Sequence, residues 1–204
     1  MLIPSLSSNF IFNFPNDFLP RDVISDYGGL IDQFHLPYEN VIDLLNSTIK
    51  SVSCPGLKIE TVKQNILRGK EINYKPSKPV QDILSSHEFV VTFGSVLCDI
   101  NYMLCFDIFQ KHYLDIANYI EPFVVIALDP WRNGFYKFKY YQLIAVDLSD
   151  NTFDYSVQKI NPKEFTMTFK FNFMELELLI NKKKILDLGN KNVLGNSSPL
   201  ILNR

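Results

Sequence analysis

His87–Tyr113 reads HEFVVTFGSVLCDINYMLCFDIFQKHY, and two hydrophobic periods meet inside it. Phe89, Val91, Phe93 and Leu97 share one parity, and Val90, Thr92 and Val96 share the other, so the first part predicts a strand with two largely apolar faces. From Asp99 the period becomes helical: Asp99 suits an N-cap, and the run to His112 holds about four turns. Ile100, Met103, Leu104 and Ile108 form one stripe, and Tyr102, Cys105, Phe106, Phe109 and Tyr113 form a second. Asn101, Asp107, Gln110 and Lys111 are the clearly polar residues between them. A helix apolar around most of its circumference has to be covered from two directions, by its own domain and by a second surface. The first candidate for that second surface is another copy of the chain.

Composition sets the frame for this stretch. A chain of 204 residues suits one large domain, or a compact domain with extensions, and buries a sizeable core. Hydrophobic content of 47% and charged content of 21% are ordinary for a globular protein, whereas 17 Phe and 10 Tyr are many, and such side chains dominate cores and interfaces. The net charge of -2 lacks the basic excess that a duplex-binding domain uses against phosphates, which disfavours sequence-specific DNA recognition. Cys54, Cys98 and Cys105 are odd in number and lack metal-ligand spacing, which fits buried thiols in a reducing compartment. His35, His87 and His112 are scattered and form no ligand motif. The N-terminus has no secretory pattern and Phe123–Leu128 is strand-sized, so a soluble cytoplasmic product without a membrane segment is expected.

Working outward from the central stretch, residues 1–37 read as an N-terminal arm in which Phe10, Phe12 and Phe14 alternate with polar or smaller residues. That alternation suits a short strand or an arm that docks on a neighbour. Arg21–Leu36, broken by Gly28-Gly29, reads as irregular or weakly helical, and Pro37 opens a helix over Tyr38–Thr48 with Val41, Ile42, Leu44 and Leu45 inward. Val52, Cys54, Leu57 and Ile59 have strand character, interrupted at Pro55-Gly56. Residues 61–79 are expected to be a long hairpin or loop that reaches an adjacent subunit. Phe123–Leu128 and Phe135–Val146 flank the turn signal DPWRNG as a hairpin, and Thr152–Val157 reads as a shorter strand. In Glu164–Ile180 the apolar parity of Phe165, Met167, Phe169, Phe171 and Phe173 flips to Leu176, Leu178 and Ile180, so the strand has to kink, bulge or leave its sheet near Met174. Residues 38–180 therefore form the predicted domain, and 181–204, with Lys182-Lys183-Lys184, a C-terminal extension.

Catalytic signals are weak. Glu175 and Glu177 lie two apart on one strand face, as a solvated or lumen-facing pair would. Phe93-Gly94-Ser95-Val96 lacks the second glycine of a nucleophile elbow, and Gly69-Lys70 lacks the upstream glycine of a phosphate loop. No catalytic, cofactor or metal residues are assigned, and the expectation is a protein that is not an enzyme.

Four segments taken together, Asn46–Leu57 (NSTIKSVSCPGL), Glu88–Phe109 (EFVVTFGSVLCDINYMLCFDIF), Tyr141–Ser156 (YQLIAVDLSDNTFDYS) and Phe165–Phe173 (FTMTFKFNF), resemble the bacteriophage tail tube family. The shared features are a strand ending at Pro-Gly before a long loop, a V-T-F strand entering a helix with the pair Asn101-Tyr102, a hairpin with Leu148-Ser149, and a final T-F-K-F-N strand. The resemblance covers Tyr38–Leu179, and the composition and extra arms are closest to tube-like ring, adaptor or baseplate proteins, including those of crAss-like phage tails. It implies a mainly β fold, a tail-tube-like β-sandwich or half-barrel with a side-packed α-helix, whose subunits join edge to edge into a β-lined ring. It also implies a structural virion protein of the phage tail, made in the host bacterial cytoplasm, whose channel conducts double-stranded DNA during ejection. Its partners would be itself in a closed ring of six or twelve copies, and adjacent tail-ring, portal-adaptor or baseplate proteins. The candidate subunit-interface residues are Tyr102, Cys105, Phe106, Phe109, Tyr113, Pro55 and Gly56. Against this stand a monomeric β-sandwich binding module, a baseplate or terminator component, and a hydrolase or nuclease with an unrecognised site.

Overall fold

The computed structural model describes residues 9–58, 61–66, 70–74, 84–96, 99–114, 119–151, 163–179 and 183–187. The strand expected over Thr152–Val157, together with Ile59, Cys98, Lys182 and most of the C-terminal extension, lies outside the described residues.

Alternation along the central stretch produces β5 (Glu88–Gly94), and Phe89, Val91 and Phe93 are fully buried on one of its faces. β9 (Glu164–Lys170) runs antiparallel beside it with Phe89 opposite Phe169, Val91 opposite Met167 and Phe93 opposite Phe165. Cross-strand aromatic pairs of this kind stabilise a sheet beyond the area they bury. β2 (Ile49–Ser53) flanks β5 and β8 (Ile144–Leu148) flanks β9, giving a four-stranded sheet in the order β2-β5-β9-β8. A second sheet has the order β1-β6-β7-β10-β11, from β1 (Phe10–Phe12), β6 (Phe123–Leu128), β7 (Gly134–Tyr141), β10 (Phe173–Leu178) and β11 (Lys183–Asp187). β3 (Val62–Ile66) and β4 (Lys70–Tyr74) pair as a separate two-stranded hairpin inside the stretch read as a hairpin or loop.

A shared corner joins the two sheets. Tyr140 and Leu143 are both buried, three residues apart, and so are Phe171 and Met174. A buried spacing of three instead of two means that one extra residue turns each strand over, and both strands do so at the same level. Gln142 adopts a φ of 55° there. The Asn172 backbone N–H donates to the Tyr141 carbonyl at 3.2 Å, and the Asn172 side-chain amide donates to Gln142 Oε1 at 3.0 Å. The parity flip read near Met174 is thus a change of sheet at Phe171–Asn172. Phe135–Val146, read as one strand, is two: the same step divides it into β7 and β8, in different sheets.

Three helices close the core. α3 (Ile100–Leu114) lies over the aromatic face of the four-stranded sheet with Ile100, Leu104, Cys105 and Ile108 buried. α1 (Arg21–Gln33) is a regular helix, not an irregular segment, because Val23, Tyr27 and Ile31 at i, i+4 and i+8 are all buried. That packing outweighs the roughly 1 kcal/mol that each of Gly28 and Gly29 costs a helix. α2 (Val41–Ser47) starts three residues after Tyr38, where the Asn40 side chain caps it by accepting the Asp43 N–H at 2.8 Å.

Within the stretch read as an arm, residues 10–18 pack inside the chain's own core. β1 pairs with β6, and Phe12, Phe14 and Phe18 are buried among Phe89, Phe123 and Phe169. Phe14 stacks on Phe18 at 4.5 Å between ring centroids and meets Phe123 edge-on at 5.3 Å. Phe14→Ala is expected to destabilise the chain by about 3–5 kcal/mol in urea unfolding, as much as Phe169→Ala. A change below about 1 kcal/mol would mean that the segment is an appendage, because surface substitutions stay in that range.

Candidate assembly surface

The turn between β5 and α3 fixes where the helix sits. Asn101 is fully buried; its Nδ2 donates to the Gly94 carbonyl at 2.8 Å and its Oδ1 accepts the Val96 N–H at 3.1 Å. Tyr102 donates its hydroxyl to the Ser149 carbonyl at 3.2 Å, and Ser149 Oγ accepts the Thr166 N–H at 2.9 Å. The pairs Asn101-Tyr102 and Leu148-Ser149 therefore belong to one linkage that ties α3 to β8 and β9. Asp99 does not serve as an ordinary N-cap: its φ of 60° is left-handed, whereas a capping residue is extended. Its carboxylate instead accepts from Ser95 Oγ, from Asn151 Nδ2 at 3.2 Å and from Lys163 Nζ at 2.8 Å. Burial by itself would raise the Asp99 pKa, but Lys163, Ser95 and Asn151 hold it net below the ordinary carboxylate value.

The four-stranded sheet shows its other face to solvent. That face carries Ser51, Thr92 and Thr166 in one cross-strand row and Ser53, Val90, Thr168 and Asp147 in the next. Two ion pairs cross it: Lys50 to Glu164 at 2.8 Å and Lys170 to Glu88 at 4.0 Å. Lys50 reaches Glu164 by lying over Gly94, where a Cβ would come within 2.6 Å of Lys50 Cε. The face is mostly polar, with Ile144 beside Lys170 at its β8 edge, and its charges largely cancel in place. Exposed pairs of this kind add little stability, so they act on the surface potential more than on the fold.

Along β2 and β8 themselves both edges of this sheet are open among the described residues, although Leu143, just before β8, bridges Ile120. β2 pairs with β5 alone and β8 with β9 alone. Ile144 and Val146 are exposed on β8. Unpaired edges with apolar side chains are templates for association.

α3 leans on β8 and turns an apolar face outward. Met103 (52%), Phe106 (50%), Tyr113 (75%) and Leu114 (68%) remain exposed, and Gln110 is the polar residue among them. The seven residues singled out from the sequence divide accordingly. Phe106 and Tyr113 are on the free face. Tyr102 and Phe109 are half-buried against the chain's own core, and Cys105, at 0% exposure, is inside it and absent from the outer face. Met103, read on one stripe with Ile100, Leu104 and Ile108, is exposed while those three are buried. Pro55 and Gly56 follow β2, at the opposite edge of the sheet from α3, where the Gly56 carbonyl accepts the Ser85 N–H at 2.7 Å.

Beside the β2 edge runs a groove of about 1420 Å³, walled by β2 on one side and by β1 and the outer half of the β6–β7 hairpin on the other. Phe10, Val52, Ala127, Tyr136 and Phe138 line it, and Trp131 and Phe135 stand at its rim. Trp131 is 73% exposed on a well-held turn, in which the Asp129 carboxylate accepts the Trp131 N–H at 2.9 Å, the Asn133 N–H at 2.8 Å and Asn133 Nδ2 at 3.1 Å. DPWRNG was legible as a turn; that it holds a rigid exposed tryptophan was not.

No family model matches the chain, and no characterised protein matches it in sequence. In structure it is similar to a chain of the anti-feeding prophage cap, the tube-terminating cap, with a TM-score of 0.50 and 10% identity over 87% of this chain and 93% of that one. A chain of the extended sheath–tube complex of the PVC extracellular contractile injection system gives a TM-score of 0.48 and 11% identity over 86% and 93%. Hcp1 from E. coli gives 0.39 and 9% over 67% and 75%. The likeness to the tube cap is one of fold, and the chain has a mainly β, tail-tube-like architecture with a helix packed on its side.

Asp99 also sets a pH dependence. Its folded pKa is depressed, so its contribution is present above the unfolded carboxylate value of about 3.9 and is lost as pH falls through the folded value. Stability is expected to be flat from about pH 7 to 5 and to fall below about pH 4, with Asp99→Asn flattening the acid limb. An unchanged acid limb in Asp99→Asn would contradict the clamp.

Proposed function

We propose that the chain is a non-catalytic structural subunit of a phage tail or related tail-like particle, assembling with copies of itself into a ring whose channel conducts double-stranded DNA. The observation that carries this reading is the four-stranded sheet, buried on its aromatic face, polar and nearly charge-balanced on the other, and open at both edges. Joining the β8 edge of one copy to the β2 edge of the next satisfies both edges and continues the sheet head to tail until it closes. The polar face then becomes the channel wall. Threonines and locally paired charges on it hold no run of cations that would grip phosphates and retard passage.

Strand spacing bears on copy number. At about 4.8 Å between strands and a barrel tilt of about 40°, six copies of a four-stranded sheet make a circumference of about 150 Å and a diameter of about 48 Å between backbones. Side chains take about 5 Å from each wall, leaving about 38 Å, which admits a duplex. Twelve copies would double the backbone diameter and leave a channel several times wider than a duplex needs. Six copies is therefore the preferred stoichiometry. The particle's other parts, an adjacent tail ring, a portal adaptor or a baseplate, would meet the ring at its two ends.

Mass measurement of the purified protein, followed by negative-stain imaging at high concentration, tests the reading. Rings or short tubes with an open channel about 38 Å wide are expected. A single chain at every concentration, with no ring in the images, would favour the competing monomeric binding module, for which the 1420 Å³ groove is the supporting feature.

A further inference from the structure

Resting on the ring reading, we infer that the groove beside β2 is the socket for the outer face of α3 from a second copy of this chain, with the Trp131 turn closing over it. The two surfaces lie at opposite edges of one sheet: α3 packs beside β8, and the groove opens beside β2. Both lie on the buried side of that sheet, since α3 covers its aromatic face and the groove is walled by Val52, on the core side of β2, and by the facing sheet. When β8 of one copy is brought beside β2 of the next, the helix face enters the groove without any turn of either element. One surface is convex and mainly apolar, with Met103, Phe106, Tyr113 and Leu114; the other is concave and mainly apolar, with Asn9, Asn46 and Asp129 among its polar lining. In a heterologous ring every copy presents both halves, so each half needs its counterpart on the same chain.

The charges at the two edges agree with the same occupant. Lys50 of β2 leans inward over Gly94 and is paired with Glu164, whereas Asp147 on β8 is exposed and makes no ion pair among the described residues. Both lie on the open face, so the joint brings the unpaired Asp147 of one copy toward the Lys50–Glu164 pair of the next, without placing like charges side by side. Opposite charges across a joint fix its register and suppress like-to-like pairing of edges. Trp131 has the character of an anchor: a large amphipathic side chain at a groove rim, held by a turn that the Asp129 carboxylate has already ordered.

The chain's single tryptophan makes the joint observable. Trp131 emission and acrylamide quenching are followed with mass across a dilution series, for the native chain, Phe106→Asp, and Phe34→Asp as a control at an exposed phenylalanine outside both surfaces. The expected result is that assembly shifts Trp131 emission to shorter wavelength and lowers its quenching several-fold. Phe106→Asp is expected to weaken assembly by roughly 10-fold or more while keeping the native melting temperature, with Phe34→Asp assembling as the native chain does. Rings that form with Trp131 quenched as in the single chain, and that Phe106→Asp leaves intact, would overturn this joint while leaving the ring reading in place. A single chain at every concentration would overturn both.

Discussion

Two strands turn over at the same level, and the rest of the molecule follows from that step. Between Tyr140 and Leu143, and again between Phe171 and Met174, one additional residue carries the chain from one buried face to another. Because β7–β8 and β9–β10 do this side by side, held by Asn172 against Tyr141 and Gln142, a single long ribbon is shared by two sheets. The four-stranded sheet is thereby left with two free edges and one open face. The other sheet runs past it and forms the far wall of the groove. A straight ribbon would have made one large sheet with no corner, no groove and no overhang.

The core that this corner encloses is aromatic to an unusual degree, and its rings come from every part of the chain: Phe12, Phe14 and Phe18 from the N-terminal segment, Phe89 and Phe93 from β5, Phe123 from β6, Phe165 and Phe169 from β9. Such a core is expensive to disturb, since each ring contacts several others. It holds α3 rigidly, and the exposed apolar face of α3 is therefore a fixed surface instead of a loosely packed one. A monomer with that face, a β8 edge carrying Ile144 and Val146, and a protruding Trp131 shows more ordered apolar surface than a solitary domain has reason to keep. In the proposed ring, association would relieve all three exposures at once.

Much of this was legible in the residues, and the misses have physical causes. The period-two run Phe89–Phe93 and the aromatic parity of Phe165–Phe171 identified the two central strands because one face of each is wholly buried. The circumferential apolarity of α3 pointed to two-sided covering, but periodicity does not say which side is which. Cys105 turned inward and Met103 outward because Ile100, Leu104 and Ile108 set the helix rotation. α1 was obscured by Gly28-Gly29, whose intrinsic cost is overcome only by long-range contacts such as Tyr27 to Asp107. Phe135–Val146 looked continuous because Gln142 carries no turn signature, and its left-handed backbone is imposed by the corner. The N-terminal phenylalanines alternated as a core strand does, yet alternation alone does not distinguish docking on one's own chain from docking on a neighbour. Leu148-Ser149 and Asn101-Tyr102 were visible as motifs, whereas their meeting in one hydrogen-bonded linkage depends on the fold.

The central claim is that the four-stranded sheet continues from one copy to the next through its edges. Amide hydrogen exchange measured on the same protein as single chains and as assembled particles tests it most directly. The account predicts that amides in Ile49–Ser53 and Ile144–Leu148 gain protection on assembly to the level of the interior strand β5. Particles in which both edge strands exchange as fast as they do in single chains would contradict it.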